Sequence, residues 1–205
     1  MTRAGILTLC GKPNAGKSTL LNHLVGQKLS IVSSKPQSTR ERTVGILTNN
    51  DVQIVLLDTP GLLDPQYALQ RAMRHTALRA LEDADIIAYL VDAHDSNPLP
   101  LSQAAALASP PRAPVLTVFN KIDTLDPPTR AALRDAHSDA FLISAITGDG
   151  IPDLLARVRA ALPESPYLYP EDDVGSQSLR FFAAEFVRET ALEQLEEEVP
   201  YSVAC

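Results

Sequence analysis

The sequence contains no tryptophan and only two cysteines among 205 residues, and aromatic residues make up 5% of it. Two cysteines cannot supply a disulfide framework. Cys10 lies inside an apolar run and Cys205 is the last residue, so both are predicted to be reduced thiols, as expected in the cytoplasm. The four histidines lack the spacing of metal ligands and are interpreted as surface or capping residues. They are His23, His75, His94 and His137.

Long apolar runs are also missing, because none reaches the roughly 18 residues that cross a bilayer. The first four residues carry one basic side chain, and the apolar stretch after them is too short for a signal peptide. We therefore predict no membrane span and a cytoplasmic protein. The net charge of −7 argues against strong nucleic-acid binding by the chain itself, since that affinity comes mainly from neutralising phosphates.

Strand-like and helix-like runs alternate along the first 162 residues, which predicts an α/β domain with a mostly parallel sheet and helices on both faces. The predicted strands are 5–10, 44–48, 52–57, 85–91, 115–119 and 141–143, and the predicted helices are 18–29, 67–81, 101–107, 129–136 and 151–162. Only Asn49, Asn50 and Asp51 separate the second strand from the third. A connection that short predicts an antiparallel edge strand.

The character of the chain changes after Leu162, where prolines and acids follow without periodicity. We divide the chain into a domain at 1–163, a linker at 164–178 and a C-terminal segment at 179–205. In that last segment, residues 179–198 have near-helical spacing and residues 200–205 look like the start of a strand. One helix and a strand stub cannot bury a core, so either the segment docks on the first domain or the chain stops early in a second one.

The run Gly11-Lys12-Pro13-Asn14-Ala15-Gly16-Lys17-Ser18 fits the phosphate-loop pattern Gly-x-x-x-x-Gly-Lys-Ser/Thr, directly after a strand and before a helix. Glycines let the backbone N–H groups wrap a phosphate, and the helix that begins there adds its positive end. Lys17 is predicted to reach the β- and γ-phosphates and Ser18 to bind Mg²⁺. Thr19 is included among the predicted nucleotide-binding residues. The pattern therefore predicts a P-loop domain. The six predicted strands give it a six-stranded sheet.

Asp58-Thr59-Pro60-Gly61 ends a predicted strand, followed by Leu62. The carboxylate should emerge at the sheet edge where α/β proteins bind ligands. We predict that Asp58 holds Mg²⁺ through a water molecule and that the Gly61 N–H contacts the γ-phosphate. All five residues are candidates for nucleotide binding.

Asn120-Lys121-Ile122-Asp123 follows another predicted strand and is predicted to choose the base. Guanine offers two donors that one carboxylate accepts together, whereas adenine offers an acceptor, which would leave a buried Asp123 unpaired. GTP is therefore expected over ATP. Ser144 and Ala145 come where a backbone N–H could donate to guanine O6.

Residues 33–42 are polar and without periodicity, which is typical of a mobile switch loop. We predict that Thr39 completes the Mg²⁺ shell when the γ-phosphate is present, with Thr43 as the alternative. Lys17, Thr39 and Gly61 are the candidate catalytic residues.

These motifs closely resemble those of the bacterial Era family of GTPases, over essentially the whole chain. The tail carries Arg180-Phe181, Glu185, Arg188-Glu189 and Pro200-Tyr201-Ser202-Val203, which are similar to the entry into that family's C-terminal KH domain. The GTP motifs are shared with other GTPases, so the tail is what favours Era.

The resemblance implies slow hydrolysis of GTP to GDP with Mg²⁺, and a role in 30S subunit assembly through binding of 16S rRNA. It also implies peripheral contact with the inner face of the cell membrane. Relatives with asparagine at the place of Asn14 use K⁺ there; the alternative interpretation is that Asn14 hydrogen-bonds within the loop. A KH domain reads RNA through a Gly-x-x-Gly loop, and none follows the linker, so weak rRNA binding is expected of these 205 residues.

Two other interpretations stay open at this stage. The chain could be the G domain of a related GTPase that acts in tRNA modification or iron transport. It could also be a nucleotide-binding module with little turnover, because Leu62 and Leu63 stand where many GTPases have a glutamine that orients water.

Overall fold

The computed structural model describes residues 1–33, 35 and 38–194. Six strands occur in these ranges: β1 (Arg3–Gly11), β2 (Thr43–Asn49), β3 (Val52–Asp58), β4 (Ile86–Asp92), β5 (Val115–Asn120) and β6 (Phe141–Leu142). They form one sheet in the order β2-β3-β1-β4-β5-β6. Each neighbouring pair is parallel except β2 and β3. The predicted α/β class with one antiparallel edge strand is therefore confirmed.

Helices follow the strands: α1 (Lys17–Val25), α2 (Ala68–Glu82), α3 (Leu101–Ala104), α4 (Pro127–Ala136), α5 (Ile151–Ala161) and α6 (Leu179–Gln194). A short 3₁₀ turn covers Ile122–Thr124. No helix of the described ranges is both long and apolar enough to cross a membrane. The predicted strand stub at 200–205 and the second cysteine lie outside the described residues.

Two apolar layers cover the sheet. Along β4, Ile86, Ala88 and Leu90 join the layer beneath α1 and α5, whereas Ile87, Tyr89 and Val91 join the layer beneath α2, α3 and α4. Successive side chains of a strand point to opposite faces, so a strand buried on both faces is apolar throughout. Because β1, β3, β4 and β5 pair in parallel, their carboxyl ends lie at one edge of this buried sheet.

Two predicted helices are shorter than expected. The first ends at Val25 instead of Leu29, because Gly26 adopts a left-handed conformation with φ 73° and caps it. The third stops at Ala104, and Ala106 has φ 46°, which no helix tolerates. In both places the helix-like spacing of apolar residues continues in the sequence after the helix itself has ended.

Residues 164–178 have little regular structure, and they pack on the first 163 residues. Gln53, buried in β3, accepts hydrogen bonds from the N–H groups of Leu168 and Tyr169 at 2.8 and 2.9 Å. The Ile46 N–H in β2 donates to the Val174 oxygen at 2.9 Å. This segment therefore runs along β2 before α6 begins.

Candidate nucleotide-binding site

The loop between β1 and α1 has the geometry of an anion cradle. Gly16 precedes the helix with φ 91°, and no side chain caps the first turn of α1. The N–H groups of that turn are therefore available to an anion, and the helix dipole adds positive potential there. The sequence pattern predicted this arrangement.

Lys17 is buried beside this loop. Its Nζ donates to the backbone oxygens of Gly11 at 3.2 Å and Lys12 at 2.8 Å, so the ammonium group lies across the loop. Burial lowers the pKa of Lys17, and the charge of Asp58 opposes that change. A bound phosphate group would supply a negative charge that stabilises the protonated form of this buried amine.

Ser18, Thr39 and Asp58 meet at the end of this loop. The Ser18 hydroxyl donates to Asp58 Oδ2 at 2.7 Å and lies 3.1 Å from the Thr39 hydroxyl. These residues come from α1, the loop before β2 and the end of β3. The structure thus brings together the three residues predicted to surround Mg²⁺, and Thr43, the alternative to Thr39, begins β2.

The chemistry of this cluster fits a hard cation. Asp58 is fully buried, and its Oδ1 has no hydrogen-bond partner among the described residues; the same holds for the hydroxyl of nearby Ser30. Burial raises the pKa of Asp58, while the Lys17 charge and the hydrogen bond from the Ser18 hydroxyl oppose the rise. Unpaired buried oxygens are costly, and Mg²⁺ with its water ligands satisfies such groups. Sequence reasoning missed Ser30.

The turn after β3 divides its residues between the cleft and the core. The Thr59 hydroxyl donates to the Leu9 oxygen at 2.8 Å, and the Leu62 side chain packs in the core layer beneath α2. Both side chains pack within the protein, and the nucleotide contacts of Thr59 and Leu62 stay predictions. Gly61 lies against Pro13 of the phosphate loop, where an added Cβ would be 2.7 Å from the Pro13 nitrogen.

Asn120 joins the phosphate loop to the base-reading loops. Its Nδ2 donates to the Ala15 oxygen at 2.9 Å and its Oδ1 accepts from the Ala145 N–H at 2.9 Å, and the residue is 2% exposed. The Asn120 side chain therefore bridges two loops, and its contact with the nucleotide stays a prediction. The Ala145 N–H can reach guanine O6 only by sharing its bond to Asn120, and the Ser144 N–H donates to the Asp149 oxygen.

Asp123 is exposed, although the sequence argument takes it as buried. It lies on the 3₁₀ turn that follows β5, which ends at Asn120. The carboxylate therefore has access to an incoming base from solvent.

A carboxylate that sequence reasoning missed contacts Lys121, two residues before Asp123. Asp92, the last residue of β4, accepts from Lys121 Nζ at 2.6 Å and from the ring and backbone of His94 at 2.8 and 3.0 Å. Burial alone would raise the pKa of Asp92, but Lys121 and His94 lower it to about 2. Asp92 ends a buried strand as Asp58 does, so the same reasoning about strand ends could have found it.

A cleft of about 380 Å³ lies beside the phosphate loop. Pro13, Asn14, Thr19 and Lys121 line it together with Ser18 and Thr39. Ala15 is buried beneath the loop, and the Lys12 side chain extends away to Asp95, with 3.2 Å between Nζ and Oδ2. Lys12 thus contributes its backbone to the loop, not its charge.

Comparison with known proteins agrees with this geometry. Residues 6–121 match the family described as "50S ribosome-binding GTPase". GTPase Era of Desulfovibrio desulfuricans is 43% identical over 218 residues, which cover 98% of this chain and 70% of that protein. The chain belongs to the Era family of GTPases. Its activity is that of a GTPase, as in the Era relatives and the family that it matches.

Two solved Era structures share the fold across 98% of this chain and 71% of theirs. A variant of Aquifex aeolicus Era bound to GDP and AlF₄⁻ has a TM-score of 0.87 and 38% identity. Era in complex with MgGDPNP and nucleotides 1506–1542 of 16S ribosomal RNA has a TM-score of 0.88 and 37% identity.

Proposed function

We propose that this chain is a Mg²⁺-dependent guanine-nucleotide switch that acts with the 16S rRNA of the small ribosomal subunit. The observation that carries the proposal is the meeting of Ser18, Thr39 and Asp58 beside the phosphate loop. Thr39 lies in a loop without regular secondary structure, and loops of this kind can change position when a γ-phosphate and Mg²⁺ bind. The ligands named for the two Era structures support both partners.

In this proposal Ser18 and Thr39 bind Mg²⁺ directly and Asp58 does so through water. The ion would neutralise charge that develops on the transferred phosphoryl group. The N–H groups at the start of α1 and Lys17 hold the phosphates, and Gly61 presents its N–H beside the phosphate loop.

Base choice is assigned to Asp123. Replacing Asp123 with Asn should lower the affinity for GDP by about 10- to 100-fold, since a bidentate bond to a charged group contributes roughly 1 to 3 kcal/mol. The same variant should gain affinity for xanthosine nucleotides, which carry an acceptor where guanine has its amine. Competition titrations with GDP and xanthosine diphosphate would measure both changes.

Asp126→Asn is the matched control, because Asp126 caps α4 by accepting from the Thr129 N–H at 2.8 Å and asparagine caps equally well. It should bind GDP like the wild type. If Asp123→Asn keeps the wild-type preference, Asp123 does not read the base.

Hydrolysis must proceed without a water-orienting group at position 62, since Leu62 is in the core. We propose that Asn14, which lines the cleft in a left-handed conformation, helps to hold K⁺ near the phosphates. In other GTPases an arginine supplies a positive charge near the phosphates and raises kcat by factors of about 10³ to 10⁵. K⁺ should therefore accelerate turnover over Na⁺ at equal ionic strength.

Asn14→Ala should remove the difference between K⁺ and Na⁺ while leaving GDP affinity within about 2-fold, since GDP lacks the γ-phosphate. Phosphate release in the two salts measures the effect. Equal rates for the wild type in K⁺ and Na⁺ would exclude this role for Asn14.

The proposed RNA partner is tested with the chain itself. These 205 residues carry a net charge of −7, so a synthetic RNA matching nucleotides 1506–1542 of 16S rRNA should bind weakly and be released as salt rises. Filter binding at several KCl concentrations gives the affinity and its salt slope. Tight binding at physiological salt would contradict this expectation, and absence of binding at low salt would count against the rRNA partner. Cytoplasmic location, peripheral membrane contact and a role in 30S assembly stay proposals of the same kind.

A further inference from the structure

Helix α6 buries two charged residues and leaves two apolar residues next to them in sequence exposed. Arg188 and Glu189 are only 4% and 7% exposed, whereas Phe186 and Val187 on the same helix are 46% and 60% exposed. Burying charge is costly unless each group is paired, so the inward face must meet specific partners. Those partners lie in the loop between α1 and β2.

Arg188 holds the far end of that loop. Its Nη1 donates to the Ser38 oxygen at 2.6 Å, while Nε donates to Glu185 at 2.9 Å and Nη2 donates to the second oxygen of the same carboxylate. The bidentate pair fixes the plane of the guanidinium group. Ser38 directly precedes Thr39, whose hydroxyl lies 3.1 Å from that of Ser18.

Glu189 holds the near end. Its Oε1 accepts from the Val32 N–H at 3.3 Å, and its Oε2 pairs with Lys28 at 2.7 Å. Asn22 in α1 fixes the adjoining backbone, accepting from the N–H groups of Leu29 and Ser30 at 2.8 and 2.9 Å. The loop is therefore tied to α6 at Val32, just before its polar stretch, and at Ser38, within that stretch.

We propose that Arg188 and Glu189 are positioning residues for GTP hydrolysis, which hold the loop so that Thr39 stays beside Ser18 and Asp58. The inference rests on the proposed function of that cluster. It assigns to a helix outside the predicted G domain a part in completing the G domain's own site. Arg188 does not touch the nucleotide and acts through the backbone next to Thr39.

The main experiment compares Arg188→Ala with Arg180→Ala, an exposed arginine on the same helix. Misplacement of a reacting group by about 1 Å can cost on the order of 10²-fold in rate, so kcat for GTP should fall by about 10- to 100-fold in Arg188→Ala. GDP affinity should stay within about 2-fold, because GDP does not engage Thr39. Arg180→Ala should match the wild type in both.

Rescue and coupling distinguish positioning from general damage. Arg188→Lys keeps the charge but cannot make the forked bonds, so it should recover only part of kcat. In a Thr39→Ala background, Arg188→Ala should cost little further rate, since the two residues act in one unit. Glu189→Gln should lower kcat in the same direction, again with GDP affinity preserved.

Amide hydrogen exchange supplies a readout that does not depend on turnover. Peptides covering residues 28–42 should exchange faster in Arg188→Ala than in Arg180→Ala. Three results would each overturn the inference: unchanged kcat, an equal loss of kcat and GDP affinity, or a full rate loss in the Thr39→Ala background. A wild-type chain that binds GDP but does not hydrolyse GTP would instead contradict the proposed function, and the exchange data would still test the contact of α6 with the loop.

Discussion

Gly16→Ala should reduce GDP affinity by about 100-fold or more. Alanine at φ 91° is strained by roughly 1 to 2 kcal/mol, and the added Cβ would lie 2.1 Å from Asn120 Nδ2. Asn120 would have to move, which breaks its bonds to Ala15 and Ala145 and leaves buried groups unpaired at about 1 to 3 kcal/mol each. Titration with a fluorescent GDP analogue would measure the loss.

Gly26→Ala provides the matched control, because Gly26 has a similar φ of 73° but nothing lies within 4 Å of an added Cβ. It should lower the free energy of unfolding by about 1 to 2 kcal/mol and leave GDP affinity nearly unchanged. If both variants lose GDP equally, backbone strain alone accounts for the effect and the contact with Asn120 does not matter.

Asp58→Asn should lower kcat for GTP hydrolysis by about 100-fold or more at a fixed Mg²⁺ concentration. One carboxylate oxygen would become an N–H₂ donor in a buried cluster whose other members are hydroxyls, and a donor repels the cation and its waters. The Mg²⁺ concentration for half-maximal rate should also rise. Phosphate release measured across a Mg²⁺ titration separates the two effects.

Asp64→Asn is the control for this variant, since it makes the same chemical change at an exposed position in the loop after Gly61. Its Mg²⁺ dependence should equal that of the wild type. A normal Mg²⁺ titration for Asp58→Asn would remove Asp58 from the cation site.

Much of the site is predictable because its residues follow strands. Lys17 and Ser18 come after β1, Asp58 ends β3 and Asn120 ends β5, and parallel strands bring their carboxyl ends to one edge. The positions of these residues in the sequence therefore predict that they lie close together. Thr39 is harder to predict, because the only signal for it is the polar character of its loop.

Side-chain direction and long-range pairing are what the sequence does not reveal. A motif does not say that the Leu62 side chain turns into the core or that the Asn120 side chain bridges two loops. Arg188 and Glu189 look like solvated helix residues from their spacing, and only the packing of α6 on the loop buries them. Such contacts join residues about 150 positions apart, for which local patterns carry no signal.

The path of residues 164–178 along β2 has a consequence for self-association. A strand at the edge of a sheet presents unpaired N–H and C=O groups, which readily pair with the edge of another molecule and lead to aggregates. Here the Val174 oxygen and a bridge between Gly45 and Gly175 occupy part of that edge. Composition places the domain boundary at residue 163. A fragment that ends there would expose the outer edge of β2 to solvent, and we expect such a fragment to self-associate. A fragment that keeps residues through 178 retains the cover, so the sheet edge is the better guide to where this domain ends.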